Sequence, residues 1–316
     1  IALNLLFLLP LHMGLLGFFL ATIIGSFSQS IYLFMAIKGW EYFQITSRDK
    51  QLHRDMVNYS QPLILNNISW WINGVSNRYI ITWFCGIAAN GIYSVSYKIP
   101  SILVMFQGIF SQAWTMSAVQ GYDKDDKNGF FTRMYQSYNL CMVLVCSVLI
   151  MLSRVMAKVL YANDFYNAWK YVPFLLIASV FGALSGYVGG IFAATKDTKI
   201  FAKTSIMGAV SNLLLTFVLV WKVGVMGAAI ASPVSYGLIW YLRIKSVSKY
   251  MNMKINLFKD VFGYLILCVQ TVLLFIFPDN ILFFILQLLA IVVLLLLNKE
   301  LLSIVMNKIT NKFLKR

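Results

Sequence analysis

Residues 171–194 read YVPFLLIASVFGALSGYVGGIFAA, a run of apolar and small side chains that contains no charged residue. A helix rises about 1.5 Å per residue, so roughly 20 such residues cross the ~30 Å hydrocarbon layer of a bilayer. Inside lipid every backbone N–H and C=O needs a partner within the chain, and a run of this length provides these partners as a helix. The stretch therefore predicts an integral membrane protein of the all-α class.

Similar runs recur along the whole chain. Ile1–Leu9 is apolar but covers only about half a bilayer, which indicates the end of a helix and an N-terminally incomplete sequence. We therefore expect a polytopic helical bundle with one partial helix and about nine full spans. These lie near residues 13–37, 60–84, 91–118, 136–153, 171–194, 200–221, 224–243, 260–278 and 281–298.

Composition and charge agree with this class. The chain is 60% hydrophobic and 12% charged, whereas soluble globular proteins carry about 25% charged residues. Twenty Lys and Arg residues, Arg243 and the C-terminal tail among them, fall on one side of the predicted spans, and only Arg154, Lys158, Lys170 and Lys222 fall on the other. The basic side is therefore predicted to be cytoplasmic. Membrane lipids, rather than nucleic acid, are the partners that this basicity implies.

The chain shows no recognisable catalytic or metal-binding constellation. His12 and His53 are its only histidines, and neither lies with an Asp inside a span. The four cysteines lie in or near apolar spans without metal-ligand spacing, as small core residues do. No enzyme activity, metal or cofactor is expected, although a membrane acyltransferase or polymerase is the competing class.

Two segments share a pattern of small residues. Asn4 is followed by Gly14-Leu15-Leu16-Gly17, and Asn212 by Gly224-Val225-Met226-Gly227, with nearly the same spacing. Such residues let helix backbones approach closely. Either small-residue patterns recur here by chance, or the segments are parallel repeats of two lobes, as found in transporters.

The repeat suggests a division of the chain. Residues 1–37 would end an N-terminal lobe with the partial fifth helix and the sixth, and residues 38–58 would be a cytoplasmic linker between lobes. Residues 59–246 would form a C-terminal lobe of six helices. Residues 247–316 would add two further helices and a basic tail.

The span 60–84 is unusual because it has a polar face. At about 100° per residue, Asn66, Trp70, Asn73 and Asn77 fall on one line, with Arg78 on its flank. Lipid offers amides no partner, so this face must meet water or other helices. We favour a wet cavity wall that binds substrate; a polar network between helices is the alternative.

The next span carries a second set of candidate residues. We expect it to pair with the first through a tight turn at Asn90-Gly91, which would place Lys98 near Arg78 and at similar depth. Ser101 and Gln112 share its polar face, and Pro100 is expected to kink the helix and act as a hinge.

All eleven Asp and Glu residues lie in loops or at helix ends. Arg78 and Lys98 therefore lack a partner at depth, and an anionic substrate would supply the missing charge. Snorkelling of the two side chains to the headgroups is the alternative.

Gly182, Gly186 and Gly190 follow at intervals of four in a later span. They indicate either a packing seam or a flexible hinge. Trp70, which lies on the polar face, is a candidate for stacking on a sugar.

The motifs around these residues resemble a known family. The runs Tyr59-Ser60-Gln61-Pro62, Asn77-Arg78-Tyr79-Ile80 and Tyr97-Lys98-Ile99-Pro100 look like those of Wzx-type polysaccharide flippases. These belong to the superfamily of multidrug, oligosaccharidyl-lipid and polysaccharide exporters, which commonly have two six-helix lobes and two extra helices. The resemblance is good from about Tyr59 to Tyr241.

The resemblance implies a function. Wzx-type proteins move undecaprenyl-pyrophosphate-linked oligosaccharides, the units of O-antigen, capsule or exopolysaccharide, from the inner to the outer leaflet of the bacterial cytoplasmic membrane. Polysaccharide polymerase and glycosyltransferase partners are implied as well. Arg78 and Lys98 stand at the basic positions of the lumen, but Asn77 replaces an Asp that often precedes this Arg, so carboxylate-based proton coupling is not expected there.

Three alternatives stay open within the membrane class. A lipid II flippase of the MurJ type has a substrate with the same pyrophosphate anchor. A drug/cation antiporter would need an acidic residue inside the membrane, which the sequence does not show. A structural or partner-binding membrane protein is the third.

Overall fold

The computed structural model describes residues 2–8, 10–42 and 49–299. It divides into two compact units, Ile1–Met56 and Val57–Arg316. The described residues form helices joined by turns, which confirms the all-α class. The predicted boundaries at residues 37, 58 and 246 stay a prediction.

The first unit contains a helical hairpin. Helices α1 (Ala2–Leu8) and α2 (Gly14–Ala36) are joined by a turn in which Gly14 has a positive φ of 53°. Gly17 is buried and lies so close to α1 that a Cβ at this position would be 3.2 Å from the carbonyl oxygen of Phe7. A turn of Gly39–Tyr42 follows α2.

Helix α3 runs from Lys50 to Cys85 and enters the second unit. It begins before the predicted residue 59, because the carboxylate of Asp49 accepts hydrogen bonds from the N–H groups of Gln51 and Leu52 and caps the helix. Part of the predicted linker is therefore helical.

The turn after α3 lies at a different residue from the one predicted. Gly86, with a φ of 87°, separates α3 from α4 (Ile87–Val95). Asn90 and Gly91 lie inside α4, so the prediction of a turn there was wrong. Only Gly86 in this segment adopts the left-handed conformation that a residue without a Cβ favours.

The break at Pro100 is present, as expected. A short 3₁₀ turn, Ser96–Lys98, ends α4, and α5 (Pro100–Gln120) starts at the proline, which has no N–H to donate to the preceding turn. The predicted span 91–118 is therefore two helices in series.

The core of the second unit lies around one helix. Helix α7 (Val172–Ala194) packs against α5, α6 (Phe130–Leu160) and α9 (Val225–Val247), and α9 also packs against α8 (Thr198–Val223). Most side chains of α7 are buried. The two remaining described helices, α10 (Leu257–Ile276) and α11 (Ile281–Leu297), pack on α6.

Every predicted span contains helical residues, but not every helix is long and apolar enough to cross a membrane alone. Among the described residues, seven helices are, namely α2 and α5 to α10. Helix α3 fails because of its charged start and polar face, and α11 has only 17 residues. Seven of the nine predicted spans therefore contain a helix that meets this test.

The hairpin of α8 and α9 gives a test of backbone packing. Gly224 turns with a φ of 62°, and a Cβ on Gly227 would lie 2.4 Å from the carbonyl oxygen of Leu219. Because backbone atoms have no rotamer to change, Gly227→Ala should force the two helices apart.

We expect Gly227→Ala to lower the free energy of unfolding by about 1–3 kcal/mol, as other overpacking substitutions do. The measurement is the midpoint of thermal unfolding in detergent, followed by circular dichroism. Gly74→Ala is the matched control, because a Cβ at Gly74 meets no atom within 4 Å. Equal midpoints for the two variants would contradict the prediction.

Candidate functional site

The polar face of α3 points into the second unit. Asn66, Ser69, Asn73 and Asn77 are buried, whereas Ile68 and Trp71 on the other face are exposed. The side chains of Asn66 and Asn77 hydrogen-bond to α8 and α9. In the described structure this face forms a polar network between helices, as the alternative interpretation expected. A role of these residues in binding substrate stays a prediction.

Asn77 is at the centre of this network. Its side-chain oxygen accepts hydrogen bonds from Asn212 Nδ2 and Thr216 Oγ1, each 2.9 Å away. Its amide nitrogen donates to Ser232 Oγ at 3.0 Å and to Tyr93 Oη at 3.2 Å. One amide therefore joins α3 to α4, α8 and α9, and its hydrogen-bonding capacity is used within the protein.

Asn73 and Trp70 lie on the same face. Asn73 is 2% exposed, and neither polar atom of its side chain has a hydrogen-bond partner in the described part of the chain. The half-buried Trp70 packs edge-on against Tyr236 of α9, with ring centroids 5.2 Å apart. Both side chains are oriented toward the interior of the second unit.

Arg243 is a second centre, which the sequence analysis missed. It was counted among the basic residues at helix ends, but its side chain is fully buried in α9. Nη1 donates to the Ser185 carbonyl oxygen of α7 at 2.7 Å, and Nη2 donates to Ser205 Oγ of α8, also at 2.7 Å.

The same guanidinium has further hydrogen bonds and aromatic contacts. Nε donates to Thr204 Oγ1 at 3.2 Å, and Nη2 approaches Asn66 Oδ1 of α3 at 3.4 Å. The Cζ atom of Arg243 lies over the Phe201 ring, 4.2 Å from the ring centroid. Arg243 is thus satisfied by neutral acceptors, and its rigid fork ties α9 to three other helices.

Arg78 and Lys98 differ from Arg243 because both are exposed. The Arg78 guanidinium lies 5.8 Å from the ring of Tyr97, the residue before Lys98, so the structure brings the two cation-bearing segments together. None of the ion pairs among the described residues includes either cation.

The position of the turn at Gly86 changes the residue count on which the predicted depth of these two cations was based. Arg78 precedes this turn by eight residues and Lys98 follows it by twelve. That the two cations lie at similar depth stays a prediction.

The remaining candidates of the second set are accessible. Ser101 is exposed, and its hydroxyl donates to the Lys98 carbonyl oxygen at 2.6 Å. Gln112 is exposed about three turns further along α5. These two side chains and the two cations therefore lie on the surfaces of α3 to α5 rather than inside the network.

The glycines of α7 allow close packing. A Cβ on Gly190 would lie 2.6 Å from Trp114 Nε1, which donates to the Tyr187 carbonyl oxygen at 2.8 Å. A Cβ on Gly182 would meet Tyr236, and one on Gly186 would meet Gln107. These contacts are those of a packing seam; the hinge role of Gly182, Gly186, Gly190 and Pro100 stays a prediction.

Arg154, which was predicted on the side with few basic residues, is also largely buried. Arg154 donates to Asp279 Oδ1 at 2.8 Å and lies over the Trp169 ring at 4.6 Å, and Lys158 binds the other oxygen of Asp279. Burial raises the pKa of Asp279, but the hydrogen bonds from the two cations outweigh this and lower that pKa below its usual value. This cluster fixes the turn between α10 and α11 to the end of α6.

The chain is similar to known proteins in sequence and in fold. Residues 1–120, which include Arg78 and Lys98, match the family model described as polysaccharide biosynthesis protein. A probable low-salt glycan biosynthesis flippase, Agl15, of Haloferax volcanii is 20% identical over 205 residues, which are 64% of this chain and 43% of that protein.

Multidrug and toxin extrusion protein 1 of Rattus norvegicus is 24% identical over 250 residues, which are 71% of this chain and 42% of that protein. The chain thus spans less than half the length of these curated relatives.

Solved structures share the fold. The lipid II flippase MurJ in an inward closed conformation matches with a TM-score of 0.61 at 17% identity, covering 97% of this chain and 65% of that one. The transporter VcmN of Vibrio cholerae in its bent form matches with a TM-score of 0.53 at 16% identity, covering 71% and 55%. These structures show a shared fold, and the chain is a multi-pass membrane protein. Together with the family model and the Haloferax volcanii relative, the shared fold confirms the resemblance to the exporter superfamily.

Arg243 gives a test of the network. A lysine keeps the charge but has a single nitrogen, which cannot reach acceptors on α3, α7 and α8 together. We expect Arg243→Lys to lower the free energy of unfolding by about 1–3 kcal/mol, measured as the thermal midpoint in detergent. Arg54→Lys, at an exposed position of α3, is the control and should leave the midpoint unchanged. A midpoint for Arg243→Lys equal to that of the control would refute the bridging role.

Proposed function

We propose that the chain is part of a flippase that moves undecaprenyl-pyrophosphate-linked oligosaccharides from the inner to the outer leaflet of the bacterial cytoplasmic membrane. The observation that carries the proposal is the pair Arg78 and Lys98. Both are exposed, and the Arg78 guanidinium lies 5.8 Å from the ring of Tyr97, which precedes Lys98 in the chain. Neither cation forms an ion pair with a described acidic residue. A charge in a membrane-spanning segment is costly and indicates function. An anionic pyrophosphate would compensate both cations.

The polar side chains around this pair would complete the contacts. Ser101 and Gln112 are exposed on α5 and offer hydroxyl and amide groups to sugar hydroxyls. Asn66, Trp70, Asn73 and Asn77, which were predicted to bind substrate as well, are turned toward α8 and α9 here. In the proposal their task is to hold α3 so that Arg78 faces the substrate.

The match of residues 1–120 to polysaccharide biosynthesis proteins supports a glycan-linked substrate. The name of the Haloferax volcanii relative, a probable glycan biosynthesis flippase, points in the same direction. Polysaccharide polymerases and glycosyltransferases are the proposed partners, because they make and use such lipid-linked units.

The energetics are consistent with outward movement of an anion. With the inside of the cell negative, moving one negative charge outward lowers its free energy by about 2.3 kcal/mol per 100 mV. The substrate's own charge thus favours export.

The proposed orientation places the basic side of the helices, and the C-terminal tail, in the cytoplasm. We expect a C-terminal fusion to green fluorescent protein to fluoresce and a fusion to alkaline phosphatase at the same position to be inactive in cells. An active phosphatase fusion together with a dark fluorescent fusion would reverse the orientation.

The cation pair gives the main test of function. In a strain that lacks its polysaccharide flippase, the full-length gene should restore surface polysaccharide, and the Arg78→Gln/Lys98→Gln variant should restore at least about tenfold less. Each hydrogen bond to a charged group contributes about 1.5–3 kcal/mol, and ~1.4 kcal/mol corresponds to a factor of ten in binding.

Two controls accompany this test. Lys222→Gln changes an exposed lysine at the end of α8 and should restore polysaccharide fully. Arg78→Lys/Lys98→Arg keeps both charges and should retain most of the activity. Unchanged polysaccharide in the double Gln variant, at equal protein levels, would defeat the proposal.

The second candidate is a lipid II flippase, whose substrate has the same pyrophosphate anchor. The shared fold with MurJ is the observation that favours it. Rescue of a strain that lacks peptidoglycan precursor export, without rescue of surface polysaccharide, would decide for this candidate.

A further inference from the structure

A groove of about 360 Å³ lies at the basic end of α9, away from the cation pair of α3 to α5. Its walls come from the last turns of α9, the connection 248–256 and the first residue of α10. Most of its lining is apolar and comprises Ile244, Val247, Met251, Met253, Ile255 and Leu257.

The groove lies where two spans reach the membrane surface. Both α9 and α10 are long and apolar enough to cross a membrane, so the connection between them lies at the hydrocarbon boundary. Phe258, next to the groove, is 84% exposed, and Tyr241 in its lining is 49% exposed. Aromatic side chains of this kind are typical of the headgroup level.

A single cation lines the groove. Lys245 is exposed at its rim, and Lys249, Lys254 and Lys259 lie nearby in the chain. The ion pairs found in the described part of the chain involve none of these four lysines.

The nearest acidic residue along the chain, Asp260, is turned away from the groove. Its carboxylate accepts from Tyr135 Oη at 3.0 Å and from Asn139 Nδ2 at 2.9 Å inside the helical core.

Two other carboxylates reach the connection 248–256 through neutral donors: Asp125 accepts from Asn252 Nδ2 at 3.3 Å, and Asp197 accepts from Tyr250 Oη. Neither is in a described ion pair with Lys245, so the groove combines an apolar wall with a positive rim.

The connection 248–256 in the wall of the groove is hydrogen-bonded to the segment between α5 and α6 and to the first turn of α6. Tyr122 Oη donates to the Tyr250 carbonyl oxygen at 2.6 Å, and the Asn252 N–H donates to the Lys124 carbonyl oxygen at 2.9 Å. The Lys254 N–H donates to Thr132 Oγ1 at 3.2 Å. Because these bonds fix the connection 248–256, the groove is formed before any ligand enters, which reduces the entropy cost of binding.

We propose that this groove binds an anionic phospholipid of the surrounding bilayer. One acyl chain lies along the Met and Ile wall, and the phosphate rests at Lys245. A phospholipid fits both features at once, because its chain is apolar, its headgroup is negative and it reaches the site within the membrane plane. The proposal does not depend on which substrate the protein transports.

The test uses native mass spectrometry of the full-length protein released from detergent with either phosphatidylglycerol or phosphatidylcholine added. We expect one phosphatidylglycerol to be retained and phosphatidylcholine to be retained at least about fivefold more weakly. Lys245→Gln should weaken phosphatidylglycerol binding about fivefold, the effect of one lysine at a membrane surface.

Lys249→Gln is the matched control, because Lys249 is exposed in the same segment but does not line the groove. It should change binding by less than about twofold. Met253→Trp fills the groove and should also weaken binding, while thermal midpoints in detergent without lipid show that all variants are folded.

The outcomes separate a site from diffuse attraction. Equal losses for the two lysine variants, or unchanged binding in Met253→Trp, would overturn the proposal and indicate only a general attraction of lysines for anionic headgroups. Equal retention of the two lipids by the unchanged protein would overturn it as well.

Discussion

Hydrocarbon offers no hydrogen-bond partner, and this constraint decides where the polar side chains of the spanning helices lie. Asn77 of α3 uses its oxygen and its nitrogen on residues of α4, α8 and α9. Arg243 of α9 does the same with acceptors on α7 and α8. Asn77 and Arg243 therefore fix the positions of several helices, and the fold of the second unit depends on these contacts as well as on apolar packing.

The same constraint separates the cations by task. Arg243 and Arg154 are satisfied by carbonyl, hydroxyl or carboxylate oxygens of the protein, so they contribute structure. Arg78 and Lys98 are exposed and take part in none of the described ion pairs. A cation whose N–H groups already donate to protein acceptors has few donors for a ligand. An exposed cation without an ion-pair partner can bind an anionic ligand. Arg78 and Lys98 are therefore the cations of the proposed substrate contacts.

Hydropathy predicted the helices well, because the length of an apolar run is a local property of the sequence. The turn after α3 was misplaced, since Asn90-Gly91 and Gly86 are both compatible with a turn and only the packing of α4 selects between them. The polar face of α3 was recognised from its periodicity. What it faces depends on Asn212, Thr216 and Ser232, which lie more than a hundred residues away in the chain.

Arg243 was missed because it lies only four residues from the end of α9, where an arginine ordinarily reaches the membrane surface. A signal was nevertheless present, since Thr204 and Ser205 in α8 and Ser185 in α7 interrupt apolar spans with small polar groups. Polar residues in several spans indicate a shared partner, but sequence alone does not show which residue they share.

The two glycine pairs occupy matching places in two helical hairpins. Gly14 and Gly224 both turn the chain with positive φ, and Gly17 and Gly227 both press against the backbone of the preceding helix. These positions are constrained by close contact between backbones, so they recur wherever the same hairpin is needed. Arg78 and Lys98 obey no such constraint, because no neighbouring backbone requires a cation there. Arg78 and Lys98 therefore lie between the two hairpins in the chain, at exposed positions where close packing does not prescribe the side chain.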